Sequence, residues 1–98
     1  MTVKELKEKL KNGDDIVLLD VRERDEVAES GKIIEGSRNV PMGDILVEVA
    51  KGSLPKDKKI VAICRSGLRS KFVARDLVQR GYDAESLEGG IEEWENTK

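Results

Sequence analysis

Lys59-Ile60-Val61-Ala62-Ile63-Cys64-Arg65-Ser66-Gly67-Leu68-Arg69-Ser70 is the stretch on which the fold of this chain turns. Its first part is apolar without alternation, which marks a strand buried on both faces, as in a parallel sheet. Its second part is short, polar and glycine-bearing, and it opens an amphipathic helix. Ser70, Val73, Ala74, Leu77 and Val78 share one face of that helix, and Lys71, Arg75, Asp76, Gln79 and Arg80 lie mostly off it. Gly81 ends it. Strand, tight loop and helix in this order make half of a parallel α/β unit.

The pattern repeats in both directions. Upstream, Gly52, Pro55 and Asp57 mark a turn, and Ile45, Leu46, Val49 and Ala50 give a helix before it. Asn39-Val40-Pro41 reads as a short strand, since Pro41 forces its predecessor to be extended. Residues 23–30 are a charged helix with Val27 and Ala28 facing inward. Ile16-Val17-Leu18-Leu19 is a second continuous apolar strand, running into Asp20-Val21. At the start, Thr2 and Glu5 form a capping box ahead of Val3, Leu6 and Leu10, with Gly13 as the stop. The charges of this helix read as a solvated face with pairs such as Glu5–Lys9. Downstream, residues 82–87 form a weaker strand, Gly89-Gly90 turn the chain, and a short helix runs from Ile91 through Trp94, whose ring packs. The whole is one domain, residues 1–98, with helices on both faces of a parallel sheet. In such sheets ligands bind beyond the carboxyl ends of the strands, where the strand order reverses. Cys64 lies just past one such end.

Composition narrows the function. Charged residues make up 39% of the chain, yet the net charge is only −2. With no positive face and few aromatics (Phe72, Tyr82 and Trp94), nucleic acid is not an expected partner. No apolar run approaches the ~20 residues of a membrane span. The opening Met1-Thr2-Val3-Lys4-Glu5 is not a secretory signal, so the chain is expected in the cytoplasm. Cys64 is the only cysteine and histidine is absent. The chain therefore lacks an internal disulfide, the usual zinc ligands and any Cys–His or Ser–His pair. No metal or cofactor is expected, and a catalyst built here works without an imidazole.

A thiol with its free pKa near ~8.5 is a weak nucleophile at neutral pH. Lowering it by ~2 units takes ~2.7 kcal/mol of differential stabilisation. A helix N-terminus supplies only ~0.3–2 kcal/mol. Arg65 and Arg69 add positive charge, a tight loop turns successive N–H groups inward as an anion nest, and Ser66 and Ser70 add hydroxyls. Gly67 permits the positive φ such a turn needs. A lone cysteine after a buried strand is ordinarily a small core hydrophobe. Two arginines and a glycine directly after it, at a helix start, point instead to an anion-binding loop around a reactive sulfur.

That loop resembles the active-site loop of the rhodanese (thiosulfate sulfurtransferase) family. Other segments resemble the family in the same order: Val17-Leu18-Leu19-Asp20-Val21-Arg22-Glu23, Gly36-Ser37-Arg38-Asn39-Val40-Pro41, Leu54-Pro55-Lys56-Asp57-Lys58, and Leu87-Glu88-Gly89-Gly90-Ile91 with Trp94. The resemblance implies a three-layer α/β/α fold with four main parallel strands in spatial order 39–40, 16–20, 59–64, 82–87. It implies that Cys64 takes a sulfur from a thiosulfate-like anion, becomes a persulfide, and passes the outer sulfur to cyanide or a thiol, a thiol protein such as thioredoxin among them. Amides of residues 65–69, Leu68 included, would hold the persulfide, and Arg65 and Arg69 the anionic donor. Sulfite leaves without protonation, so no acid or base is demanded. The spacing from Cys64 to Arg69 is Cys-x4-Arg, shorter than the Cys-x5-Arg of related phosphatases, and a loop sized for one sulfur is tight for a tetrahedral phosphate.

Two further readings are a binding or regulatory module without turnover, and a phosphatase or arsenate reductase. Retention of Cys64 and Arg69 argues against the first and loop length against the second. The family's Gly-His-Ile-x-Gly is replaced here by Gly31-Lys32-Ile33-Ile34-Glu35-Gly36, with a lysine for histidine and one residue added. Arg38 stands where an apolar residue is usual, which suggests an exposed strand. Asp20 and Arg22 could be an acid and an anion binder, but we read them as a structural pair supporting the crevice wall. Glu88 could face the site from the opposite wall, or cap, or be solvated.

Overall fold

The computed structural model describes residues 1–97; Lys98, the last residue of the expected domain, lies outside them. The elements follow in the order α1 (Val3–Lys11), β1 (Ile16–Asp20), α2 (Arg24–Ser30), β2 (Arg38–Asn39), a single 3-10 turn (Met42–Asp44), α3 (Ile45–Lys51), β3 (Lys59–Ile63), α4 (Leu68–Gln79), β4 (Asp83–Ser86) and α5 (Gly90–Asn96). The strands form one parallel sheet in the order β2-β1-β3-β4, as expected.

Side-chain alternation along the strands sorts the core into two layers. Leu19, Ile60, Ala62 and Cys64 point to one face, where Ile45 of α3 and Val73, Ala74 and Leu77 of α4 cover them. Leu18, Val61 and Ile63 point to the other, against Val3 and Leu6 of α1 and Ile91 of α5. Both layers are buried, which is why β1 and β3 read as unbroken apolar runs. The parity of β3 also places the Cys64 sulfur on the α4 side. Each fully buried leucine, such as Leu19, contributes about 1.5–3 kcal/mol.

The capping box at Thr2 and Glu5 is present, with Glu5 N–H donating to Thr2 Oγ1 (3.1 Å) and Thr2 N–H to Glu5 Oε1 (3.0 Å). Glu5 is thereby turned away from Lys9, which reaches Asp14 at 4.0 Å instead of forming the expected Glu5–Lys9 pair. Other expectations need correction. Val78 and Leu46 are exposed, because each sits at the margin of its helix's apolar arc. In α2 Val27 and Glu26 are half-buried and Ala28 is exposed, so that helix is held chiefly by polar contacts. β2 is a residue pair, since Pro41 cannot donate and the chain turns at once into the 3-10 turn. Beyond it, Val40 N–H still donates to Asp20 O at 2.9 Å. Strand β4 is shorter than residues 82–87, and α5 is longer than residues 91–94, reaching Asn96. Trp94 packs partly into the second layer, with Lys7 Nζ 4.8 Å from its ring centroid. Arg38 is exposed, as expected, and donates to Glu48 and to Ser53 O.

After β1 the chain adds β2 on one side and then crosses to place β3 on the other. The strand order therefore reverses between β1 and β3, the position beyond whose carboxyl ends sheets of this kind place a ligand crevice. Asp20 ends β1 and Cys64 directly follows β3 at this position.

Candidate active site

Cys64 follows the last residue of β3, and residues 65–67 turn the chain directly into α4. Gly67, immediately before the helix, has φ +103°, a conformation closed to other residues at low cost. A Cβ there would also lie 3.1 Å from the Gly89 nitrogen. The turn is tight enough for amides on both sides of it to reach one atom. Gly67 N–H donates to Cys64 Sγ at 3.1 Å and Ser70 N–H at 3.4 Å.

Ser70 is wholly buried, and its Oγ lies 3.4 Å from Sγ and 3.2 Å from Gly67 O. As a thiol, Cys64 can donate to that oxygen, whose own proton goes to Gly67 O. As a thiolate it can only accept, and a turn of the hydroxyl delivers the proton to sulfur. Burial pushes the Cys64 thiol up, but the Ser70 hydroxyl and the amides of Ser70, Gly67 and Ser66 outweigh it, and the net shift is downward. The cysteine is only 1% exposed, yet its surroundings shift its thiol toward the anion.

The start of the loop is held from behind by α5. Ile91 N–H donates to Cys64 O (2.9 Å) and Glu92 N–H to Arg65 O (3.1 Å). These are first-turn amides of α5 with no partner in their own helix. The contact requires Gly90, with φ +59°, because a Cβ there would overlap the Cys64 and Arg65 carbonyls.

Each of the two loop arginines is paired with a carboxylate. The Arg65 side chain is 73% exposed and its Nε is 3.4 Å from Glu92 Oε2. Arg69 makes a two-pronged pair with Glu26 of α2, Nη1 to Oε1 at 2.5 Å and Nη2 to Oε2 at 2.7 Å. Hydrogen bonding from Arg69 is the main cause that draws the Glu26 carboxyl down to about 2. The principal stabilisers of the sulfur are thus a hydroxyl and amides, and the two guanidiniums have carboxylates of their own.

Asp20 and Arg22 form the structural pair anticipated. Both are buried, with Arg22 Nη2 2.7 Å from Asp20 Oδ2 and Nε 3.0 Å from Oδ1. Arg22 also donates to Ser30 Oγ (3.1 Å) and Lys32 O (2.9 Å), while Asn39 Nδ2 donates to Asp20 O (3.0 Å) and Arg22 O (2.9 Å). The pair ties together β1, β2, the end of α2 and the 31–36 loop. The altered residue Lys32 takes part here through its backbone alone.

The side chains of two further expected residues, Leu68 and Glu88, are exposed. Leu68 opens α4 and is 66% exposed. The Glu88 side chain is 68% exposed, and its carboxylate lies 3.5 Å from the Met1 amino group. Leu68 and Glu88 line one shallow depression of about 580 Å³ with Ser66, Gly67, Lys71 and Gly89, and Cys64 is not among its walls. Glu26 and Gly90 are what the sequence reading missed. Gly90 had a visible signal, a glycine pair directly after a strand; Glu26 had none beyond its place in a charged helix start. Among the described residues, no group of acidic residues or cysteine could hold a metal ion, and no helix is long and apolar enough to cross a membrane.

The profile of the Rhodanese-like domain family matches residues 2–97. The candidate sulfurtransferase YtwF of Bacillus subtilis is 42% identical over 90 residues, covering 92% of this chain and 84% of that protein. A sulfurtransferase of Allochromatium vinosum is 34% identical over 90 residues, covering 91% and 80%. Among solved structures, a rhodanese-related protein of Thermoplasma volcanium superposes with a TM-score of 0.86 at 31% identity, covering 99% of this chain and 90% of that one. A rhodanese-like domain protein of Staphylococcus aureus gives a TM-score of 0.86 at 32% identity, covering 96% and 88%.

Proposed function

The chain belongs to the rhodanese-like domain family, and on that premise we propose that it is a sulfurtransferase carrying sulfane sulfur as a persulfide on Cys64. The observation that carries this reading is the Sγ atom held by the Gly67 and Ser70 amides and the Ser70 hydroxyl, with its thiol shifted downward despite burial. A thiolate so held is both a nucleophile and, after reaction, a good leaving group.

The donor is a small anion of the thiosulfate kind. The Cys64 thiolate attacks its outer sulfur, an S–S bond forms, the sulfur–sulfite bond breaks, and sulfite leaves with the electron pair. The persulfide anion takes the place of the thiolate among the same amides. In the second half-reaction cyanide, or a thiolate acting on the protonated persulfide, attacks the outer sulfur and Cys64 departs as thiolate. Neither half needs an added proton acceptor, which suits a chain without histidine. The acceptor in the cell is a thiol, including a protein thiol of the thioredoxin kind, and the cytoplasm is the setting we propose.

Intact mass measurement after incubation with thiosulfate tests this. One added sulfur that disappears with cyanide, and is absent in Cys64→Ser, is expected. No adduct on the wild-type protein overturns the reading.

A further inference from the structure

The arginines at the crevice carry their own carboxylates: Arg22 with Asp20, Arg65 with Glu92, Arg69 with Glu26. They are not equivalent. Arg22 is buried and committed to the wall, and Arg65 reaches a loose surface contact. Arg69 lies in the first turn of α4, next to the Ser70 amide that donates to the sulfur, and its pair with Glu26 links α4, which follows β3, to α2, which follows β1. Lys32 and Lys71 line depressions whose walls do not include Cys64.

Glu26 meets Arg69 fork to fork, and each side chain of the pair is only 35% exposed. At distances greater than the separation of the pair, the two charges largely cancel. What the pair presents to an approaching anion is a weak dipole, not a full positive charge. Coulomb attraction grows with the charge of the incoming anion, so a dianion loses more by this cancellation than a monoanion.

We propose that Glu26 is a specificity-determining residue that, by neutralising Arg69, sets the crevice for singly charged sulfur donors, an organic persulfide or thiosulfonate anion, over the dianion thiosulfate. The proposal rests on the sulfur-transfer reading for the identity of the donors, but the charge discrimination is measurable without turnover. For the thiosulfonate, the Cys64 thiolate bonds to the terminal sulfur, the S–S bond breaks and sulfinate leaves with the electron pair. For the persulfide donor the outgoing group is the parent thiolate. Thiosulfate remains a substrate at higher concentration.

The test compares alkylation of Cys64 by iodoacetate, an anion, and iodoacetamide, its neutral isostere, at low salt. In both, the thiolate forms the C–S bond and iodide leaves. Glu26→Gln keeps the Oε1 acceptor that Glu23 N–H uses at the start of α2, so the helix is retained. It should raise the iodoacetate-to-iodoacetamide rate ratio about 5-fold, and salt should erase the gain. Glu29→Gln, the same charge change elsewhere on α2, should leave the ratio within about 2-fold of wild type. The double variant Glu26→Gln with Arg69→Gln should return it toward wild type. In steady state, Glu26→Gln should lower KM for thiosulfate about 5-fold relative to KM for an alkylthiosulfonate. An unchanged ratio in Glu26→Gln, or equal rises in Glu26→Gln and Glu29→Gln, overturns the proposal. A shifted alkylation ratio with no turnover on either donor overturns the sulfur-transfer reading and leaves the charge discrimination standing.

Discussion

The Cys64 carbonyl accepts a hydrogen bond from the Ile91 amide at 2.9 Å, so the first turn of the last helix holds the peptide that begins the sulfur-binding loop. With that carbonyl fixed outward, the loop amides that follow are free to turn inward. Gly90 lets the two segments meet, because a Cβ at this position would overlap the Cys64 and Arg65 carbonyls. Gly90→Ala should therefore cost about 2–4 kcal/mol, combining positive-φ strain with overpacking. Denaturant unfolding measures the loss. Alkylation of Cys64 in the folded variant should slow as well, because the displaced loop no longer presents its amides.

Among the described residues, Ser70 supplies the one side-chain hydroxyl within hydrogen-bond distance of the sulfur. Ser70→Ala should raise the midpoint of the pH–alkylation profile of Cys64. It should also slow the reaction at pH 7 roughly 3–10-fold, the range expected on losing a hydrogen bond to a charged acceptor. A midpoint equal to wild type would mean that the amides alone hold the thiolate.

Asp20 and Arg22 compensate each other in a buried site. Arg22→Met should destabilise the domain by about 3 kcal/mol, because it leaves the Asp20 carboxylate buried and unmatched. Asp20→Asn combined with Arg22→Met should cost less than Arg22→Met alone. Urea unfolding of wild type, both single variants and the double variant gives the coupling.

Glu26 links the site to acid stability. Its folded pKa is depressed to about 2, while an unfolded glutamate titrates near ~4.3. The stabilisation it gives is complete above the unfolded value and is lost as pH falls through the folded one. The pair is partly exposed, so the effect is modest. Wild type should thus lose more stability than Glu26→Gln between about pH 4.5 and pH 2, followed by thermal midpoints across that range.

Much of the architecture was legible because it is written in local patterns. The runs 16–19 and 60–63 are apolar on both parities and so demand a doubly covered sheet, and Thr2 with Glu5 spells a helix start. The placement of Cys64 at a strand end and the need for glycine at 67 followed from the same short-range logic. The outer limits of helices read less well: Val78 and Leu46 fit an apolar arc on paper but lie at its margin, where the neighbouring layer stops.

Cys64, its strand and its loop were thus determined by neighbours in the chain, since periodicity and turn chemistry act over a few residues. Which carboxylate answers Arg69 was decided only by the tertiary fold. Glu26 lies 43 positions away, and it comes within 2.5 Å of that guanidinium only because β1 and β3 are adjacent in the sheet. The hold of Ile91 on the Cys64 carbonyl has the same origin. Charges and amides find partners through space, and one sequence of charges is compatible with many pairings until the strand order selects among them.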